Sequence, residues 1–232
     1  MKIVTWNCNG AFRKKYHLFN DTNFHIIVIQ ECEDPKQSTK SYLKWSGNYL
    51  WKGDNKNKGL GIFARKNVRI SQIDWPDGEA REFIPCQVND SFTLITVWAK
   101  GAAGSPLGYA GQVFRYIEIN SERLKNGRVV VCGDFNSNSI WDDRHEVFNH
   151  SNVVTKLDAC GLSSLYHLSN DVDHGSKIDS TLYMYRNMDK AYHVDYAFCS
   201  NDLMSQRPPE IGGPAYWLNF SDHMPLIFEV VC

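Results

Sequence analysis

The chain has 232 residues, of which 43% are apolar and 22% are charged, the balance of an ordinary soluble globular protein. Its formal net charge of −1 gives no overall attraction to nucleic acid, although a local basic patch could still bind phosphate. No apolar run approaches the ~18 residues of a membrane-spanning helix, so we expect no membrane partner.

The amino-terminal residues and the cysteines indicate where the protein works. The stretch Met1–Asn7 is too short and turns polar too soon for a signal peptide. The seven cysteines are dispersed, odd in number and without a CxxC pair. This favours a reduced setting over a disulfide framework or a structural zinc site. We therefore expect a cytoplasmic protein, and we expect it to be monomeric.

Short apolar runs rich in β-branched residues recur along the chain, and their lengths and flanking Gly, Asn and Asp residues predict strands. The predicted strands are Lys2–Trp6, His25–Ile29, Gly61–Ala64, Val68–Ile73, Phe92–Ala99, Arg128–Cys132, Thr181–Tyr185, Val194–Cys199 and Leu226–Val231. The run Ile26–Ile29 does not alternate with polar residues, so we expect it to be covered on both faces.

Helical patterns lie between these strands. One helix is predicted around Phe12, Tyr16 and Phe19, a second from Asp34-Pro35 to Gly47, a third through Val113, Ile117 and Leu124, and a fourth from a Ser151 cap to Gly161. Long surface loops are predicted at 54–58, 100–109 and 201–219. Mixed strands and helices without a linker predict one layered α/β domain over residues 1–232.

Polar groups follow or begin five of the strand-like runs. They are Asn7 after the first strand, Glu31 after the second, Asp134 and Asn136 in Gly133–Asn136, Asp195 within an apolar run, and the pair Asp222-His223 before the last strand. Carboxylates and carboxamides with imidazole form an oxygen-rich set that suits Mg²⁺ or Mn²⁺. Each motif alone also fits a turn, a solvated strand end or a structural hydrogen bond. Their joint occurrence favours a functional site.

The set, in this order, resembles the endonuclease/exonuclease/phosphatase superfamily, which includes deoxyribonuclease I and the exonuclease III-type enzymes. The matching motifs are TWNCNG at Thr5–Gly10, IQE at Ile29–Glu31, GDFN at Gly133–Asn136, HVDY at His193–Tyr196 and SDHMP at Ser221–Pro225. The resemblance implies a four-layered α/β sandwich, in which two facing, mostly antiparallel sheets are flanked by helices. It also implies metal-dependent cleavage of a phosphate ester.

The resemblance further implies a role for each matching residue. Glu31 becomes the main metal ligand, and Asn7 and Asp222 complete or support the metal shell, with Mg²⁺ expected and Mn²⁺ as an alternative. A divalent ion of this kind stabilises developing charge on a phosphate.

Four further residues are implied in catalysis. Asp134 would orient or deprotonate the attacking water, and Asn136 would help to hold the scissile phosphate. His223 would contact a non-bridging phosphate oxygen, while Asp195 would fix its tautomer and favour its charged form. The sequence leaves open whether Asp134 or His223 is the base.

Two departures from the family pattern concern the site. Many relatives carry a His or Tyr after the central strand, where this chain has Trp98, so Lys100, Tyr109 or no residue would fill that role. Some relatives carry an acid where Asn9 stands, which weakens the case for a strongly bound second metal. The fifth motif also differs from the WCDR-like version of the inositol-phosphatase branch.

The leading hypothesis is a metal-dependent nuclease that hydrolyses DNA, with RNA as a second polymer substrate. The alternatives are a phosphatase or phosphodiesterase acting on a small molecule or lipid headgroup, and a catalytically silent binding module of the same fold.

Basic clusters around Lys52–Lys66 and at Arg186 and Lys190 fit solvated faces more often than phosphate sites. Trp141 and Trp217 could stack on bases or anchor loops. The histidines outside the motifs are interpreted as structural: His17, His25, His145, His150, His167 and His174.

Overall fold

The computed structural model describes residues 1–20, 22–78, 80–101, 107–144, 147–176 and 179–232. Two six-stranded sheets form its centre. The first has the order β13-β14-β1-β2-β4-β3, and its strands are β1 Lys2–Asn7, β2 Ile26–Cys32, β3 Asn48–Asn55, β4 Lys58–Ala64, β13 Glu210–Ile211 and β14 Leu226–Glu229. The second has the order β5-β6-β7-β8-β12-β9, and its strands are β5 Ile70–Gln72, β6 Phe83–Val88, β7 Phe92–Trp98, β8 Val129–Asp134, β9 Leu162–Ser164 and β12 Asp195–Ser200.

Three buried apolar layers make the sandwich. The layer between the sheets takes Ile26 and Val28 from β2, and Val130 from β8, among others. The alternate residues of the same strands pack outward: Ile27 lies in an aromatic-rich layer outside the first sheet, and Val131 in a layer outside the second sheet. Strands without polar alternation are therefore covered on both faces, as predicted. The predicted four-layered α/β sandwich is confirmed.

Helices flank the two sheets. They are α1 Lys40–Ser46, α2 Ala110–Lys125, α3 His150–Ala159, α4 Leu165–Asn170 and the short α5 Pro214–Trp217. The predicted helix around Phe12–Phe19 is instead two short 3-10 turns, Phe12–Lys14 and Tyr16–Phe19. The predicted helix from Asp34 is a 3-10 turn at Pro35–Gln37 followed by α1, whose cap is Thr39. The cap of α3 is Asn149 rather than Ser151.

Several strands differ from the sequence prediction. β3 and β6 were not predicted, and β6 contains Pro85, which argues against a strand in sequence-based reasoning. The predicted strand at 181–185 is only β10, Leu182–Tyr183, which pairs with β11, Ala191–Tyr192, in a small hairpin. The predicted loop at 201–219 contains β13 and α5. The predicted loop at 100–109 lies partly, and His145 wholly, outside the described residues.

The sheets are antiparallel except for one parallel pair near the centre of each, β1 with β2 and β7 with β8. The carboxyl ends of these parallel strands therefore lie side by side at one edge of the sandwich. That edge carries the polar motifs. Within the described residues, no helix has both the length and the apolar character needed to cross a bilayer.

Candidate active site

Both sheets contribute polar side chains to the same edge. In the first sheet, Asn7 ends β1 beside Gln30 of β2, so Glu31 follows immediately. In the second sheet, Asp134 ends β8 directly opposite Asp195, the first residue of β12. A side-chain hydrogen bond joins the two sheets, because the Asn7 amide donates to Asp134 at 2.9 Å; it also donates to Glu31 of its own sheet at 3.4 Å.

Glu31 lies in a β-bulge. The register between β2 and β4 shifts between Gln30 and Cys32, and Glu31 adopts a positive φ of 65°. A bulge interrupts the alternation of a strand and re-aims one side chain. The Glu31 carboxylate, whose side chain is 17% exposed, accepts from the Lys58 ammonium at 2.9 Å. Glu31 is thus the most solvent-accessible of the carboxylates joined to Asn7.

Asp134 is fully buried and held by amide donors. Its Oδ2 accepts from Asn7 and, at 2.8 Å, from the Asn136 side chain, and its Oδ1 accepts from the Asn136 backbone N–H. The contact from the Asn136 backbone N–H to Asp134 Oδ1 closes an Asx-turn, in which Asn136 has a φ of 47°. The Asn136 amide also donates to the Ala99 carbonyl at 2.9 Å. Asn136 therefore fixes Asp134 and the end of β7 together.

Asp195 and His223 form a buried pair. His223 Nδ1 lies 2.9 Å from Asp195 Oδ2, and both side chains are almost completely buried. Thr181 Oγ1 accepts from the backbone N–H groups of Val194 and Asp195, which fixes the start of β12. Burial disfavours a charged imidazole, but the carboxylates of Asp195 and Asp134 outweigh it and raise the pKa of His223. The His223 imidazole therefore carries a positive charge beside Asp134.

Burial also dominates at Asp134. It raises the pKa of this carboxyl above its usual range, while the neighbouring His223 opposes the shift. Asp134 is consequently a more basic group than an exposed carboxylate.

Asp222 connects the site to its surroundings. Its Oδ1 accepts from the Asn9 side chain at 2.9 Å, and its backbone carbonyl accepts from the Tyr183 N–H at 2.8 Å. Ser221 Oγ donates to the Asn7 carbonyl at 2.7 Å and accepts from the His223 N–H. The SDHMP motif is therefore bound both to β1 and to the β10–β11 hairpin.

Two groups of side chains could hold a divalent ion. Asp134, Asp195 and His223 have ligand atoms within 4.8 Å of one another. In that group, however, the Asp195–His223 hydrogen bond already uses atoms that an ion would need, and all three residues are buried. Glu31 and Asp222 are partly exposed and flank the Asn7–Asn9 segment, so the oxygen-rich set predicted from the sequence fits a hydrated Mg²⁺ or Mn²⁺ better.

Trp98 ends β7 beside Asp134, at the position where the family resemblance predicts a His or Tyr. It is buried, and the ammonium groups of Lys100 and Lys58 lie 4.6 and 5.6 Å from its ring centre. Lys100 forms an ion pair with the buried carboxylate of Glu82. The aromatic ring therefore lies near two cations, of which Lys58 also contacts Glu31.

Lys58 and Thr181 belong to the site but did not stand out in the sequence. Lys58 appeared as one of several basic residues near a loop, because β3 and its turn to β4 were not predicted. In the structure this basic cluster splits, since Lys58 begins β4 at the site edge and Arg65 follows β4 at the opposite edge. Thr181 had no recognisable signal, because its role comes only from contacts with β12.

The tryptophans near the motifs have different environments. Trp217 packs edge-on against Trp6, with ring centres 5.1 Å apart, and thus anchors its loop to the aromatic layer. Trp141 packs against Tyr192 at 5.1 Å, next to His193 and β12, and stays partly exposed. Trp141 thus lies beside β11, close in the chain to Asp195, whereas Trp217 belongs to the outer aromatic layer.

Behind the site lies a histidine cluster. His150 Nε2 lies 3.1 Å from His174 Nδ1, and the rings of His167 and His174 stack at 3.7 Å. Burial lowers the pKa of His150 to about 3 and that of His174 to about 4, so these rings are neutral near pH 7. This arrangement agrees with their interpretation as structural residues.

The fold is shared by solved nuclease and phosphatase structures. The chain is 20% identical to the 3′ phosphatase NExo from Neisseria bound to a product DNA hairpin, with a TM-score of 0.71 and complete coverage of both chains. The 3′-5′ exonuclease NExo from Neisseria meningitidis gives 20% identity, a TM-score of 0.70 and again complete coverage of both chains. An AP endonuclease from Archaeoglobus fulgidus gives 15% identity and a TM-score of 0.69, over 100% of this chain and 98% of that one.

A search of curated proteins found no match. The sequence itself matches the model of the Endonuclease/Exonuclease/phosphatase family over residues 4–223, a range that contains every candidate site residue from Asn7 to His223. Members of this family are hydrolases that act on phosphoric esters, the class of enzyme predicted from the motifs. The chain belongs to the Endonuclease/Exonuclease/phosphatase family.

Proposed function

We propose that the protein is a divalent-metal-dependent phosphodiesterase whose substrate is nucleic acid, with DNA favoured over RNA. One observation carries the proposal: the buried Asp195–His223 pair at 2.9 Å adjoins Asp134, which Asn7 links to the partly exposed Glu31. The charged His223 imidazole, the buried Asp134 carboxylate and the oxygen-rich cation site at Glu31 thus lie together at one edge. Hydrolysis of a phosphate ester gains most from such positioning and charge stabilisation.

Glu31 and Asp222, supported by the Asn7 amide, are the residues proposed to hold the metal. Mg²⁺ or Mn²⁺ bound there would act as a Lewis acid toward a phosphoryl oxygen. The Lys58 ammonium lies 2.9 Å from the Glu31 carboxylate and balances its charge. Asn9 donates to Asp222 where some relatives carry an acid, which supports a single strongly bound ion.

The chain's own residues supply the remaining chemistry. His223, held by Asp195, presents positive charge to a non-bridging phosphate oxygen. Asp134 accepts the proton of the attacking water, because its oxygens are oriented by Asn7 and Asn136 and burial makes the carboxylate more basic. Asn136 acts mainly as a positioning residue, since its amide already donates to Asp134 and Ala99.

The β10–β11 hairpin supports a polymeric substrate over a small phosphate. It is bonded directly to the site through Tyr183 and Asp222. Its tip carries Tyr185, which is 81% exposed and left-handed at φ 59°, followed by Arg186 at φ 57°. Two consecutive non-glycine residues in this conformation are strained, and such strain often accompanies function. Lys190 lies 5.5 Å from the Tyr185 ring centre. An exposed ring with two cations fits a nucleobase and its phosphates.

A substrate panel tests the proposal. Purified protein with Mg²⁺ or Mn²⁺ is incubated with plasmid, linear, abasic and single-stranded DNA, with RNA, and with small phosphate esters including lipid headgroups. We expect EDTA-sensitive cleavage of DNA that is lost in His223→Ala. Tyr185→Ala should raise KM for nucleic acid by roughly 10-fold, as one lost stacking contact implies, whereas Tyr185→Phe should retain the wild-type value.

Two outcomes would count against this function. Activity confined to small phosphates, insensitive to Tyr185→Ala, would assign the site to the alternative phosphatase. Absence of any EDTA-sensitive hydrolysis across the panel would overturn the enzyme assignment in favour of a binding module.

A further inference from the structure

A cavity lies at the opposite edge of the first sheet from the active site. It has a volume of about 580 Å³, within the range of small-ligand pockets. Its walls come from Phe24, His25 and Ile27 around the start of β2, from the end of α1 at Lys44–Gly47, and from the end of β4 and the turn after it at Phe63–Asn67. None of these residues belongs to the phosphoric-ester site.

The separation follows from strand direction. β1 and β2 run parallel and place Asn7 and Glu31 at their carboxyl ends, whereas His25 precedes β2 at its amino end. From Ile27, in the cavity wall, to Glu31 the chain advances four residues, or roughly 13 Å at the rise of a strand. A ligand in this cavity would therefore not touch the proposed metal ligands.

The walls of the cavity are aromatic. Phe19, Phe24 and Phe63 are buried parts of the outer aromatic layer, and Trp45 is partly exposed. Trp45 packs tightly against Phe63, with ring centres 5.2 Å apart, so its orientation is fixed. A rigid, partly exposed indole offers a surface for a planar ring.

The rim is cationic. Lys44, Arg65 and Lys66 line the cavity and are exposed, and no carboxylate lines it among the described residues. Arg65 is anchored by donation to the backbone carbonyls of Thr22 and Phe24. Within the described part of the chain, neither lysine forms a salt bridge. Three positive charges, with no carboxylate among the described lining residues, favour an anionic ligand.

We propose that this cavity binds a nucleotide, with the base against Trp45 and the phosphate between Lys44 and Lys66. The aromatic wall and the cationic rim together favour an aromatic anion over phosphate alone. Protein sites for single-stranded nucleic acids likewise combine aromatic side chains that stack on bases with positive charges near the phosphates. The nucleotide could be free or part of a strand that also reaches the active site. The inference uses no residue of the active site and holds whether or not the protein is a nuclease.

The test measures binding of deoxyadenosine 5′-monophosphate, of a short single-stranded oligodeoxynucleotide and of inorganic phosphate to full-length His223→Ala protein. This variant keeps the substrate intact during the measurement. We expect quenching of tryptophan fluorescence by the nucleotide, and Trp45→Phe in the same background should remove the quenching. Lys44→Glu combined with Lys66→Glu should weaken nucleotide binding by roughly 10-fold, because two favourable charges become repulsive.

Lys125→Glu provides the matched charge control, since Lys125 is exposed on α2 and remote from the cavity wall. Tighter binding of the oligonucleotide than of the free nucleotide would assign the cavity to a nucleic-acid strand, and equal binding would assign it to a free nucleotide. Thermal unfolding checks that the variants fold, and Lys66→Glu alone serves if the double variant does not. The proposal is overturned if Lys66→Glu and Lys125→Glu act alike, or if phosphate binds as tightly as the nucleotide.

Discussion

Replacing Asp195 by Asn tests the charge relationship on which the active site depends. The substitution keeps the size of the side chain but removes the carboxylate that lies 2.9 Å from His223 Nδ1. Both residues are almost fully buried, and removing one partner of a buried pair costs roughly 3–5 kcal/mol. If that cost falls on the transition state, kcat decreases roughly 10²- to 10⁴-fold at about 1.4 kcal/mol per factor of ten.

The assay is the steady-state rate on the best substrate of the panel at saturating Mg²⁺. Asp179→Asn is the matched control, because the Asp179 carboxylate accepts a hydrogen bond from the Tyr166 hydroxyl at 2.7 Å and lies outside the site. Mn²⁺ affinity should be unchanged in Asp195→Asn, since Asp195 is not a proposed ligand. A folded Asp195→Asn protein with kcat within about 3-fold of wild type would refute the reasoning, because less than ~1 kcal/mol would then depend on the pair.

Three further predictions concern the metal shell, pH and backbone. Asn9→Asp places a carboxylate 2.9 Å from Asp222, so the metal-free protein should melt earlier and Mn²⁺ should raise Tm more than in wild type; an unchanged Mn²⁺ shift in calorimetry would contradict the ligand set. The pKa values of His150, near 3, and of His174, near 4, lie below the ~6.5 of a histidine in the unfolded chain. The free energy of unfolding in urea should therefore decrease as the pH falls below about 6.5, by up to ~1.4 kcal/mol per pH unit for each histidine. His174→Gln should flatten that decline. Gly133→Ala should destabilise by more than ~4 kcal/mol, because φ is 142° and the added Cβ would meet a carbonyl of β7 at 1.9 Å; a near-native urea midpoint would show that the strands can separate there.

Local patterns sufficed for the parts of the fold that local physics determines. The apolar run Ile26–Ile29 predicted a strand covered on both faces, and its residues do lie in two cores. β6 was missed because Pro85 lowers strand propensity, yet tertiary pairing with β7 holds it in the sheet. The helix expected at Phe12–Phe19 has the right aromatic spacing, but the rings pack into the outer layer from two tight turns.

The site could be predicted only where its residues form contiguous motifs. Asn7, Glu31 and Asp134 meet because they lie at the carboxyl ends of parallel strands, and Asp195 joins them because it begins the antiparallel strand beside Asp134. The order of strands along the sequence does not reveal this arrangement by itself. Lys58 reaches Glu31 through a hairpin whose first strand was not predicted. The bulge that re-aims Glu31 is likewise a property of pairing between strands.

The most direct measurement is restoration of activity by metal. Protein stripped with EDTA is titrated with Mg²⁺ or Mn²⁺ while DNA cleavage is followed, for wild type and for Glu31→Gln, which removes the proposed ligand charge. We expect wild-type cleavage to return with added metal, and Glu31→Gln to stay inactive or to need far more metal. Full activity in EDTA, or equal restoration of the two proteins, would contradict the metal-dependent centre at this edge of the fold.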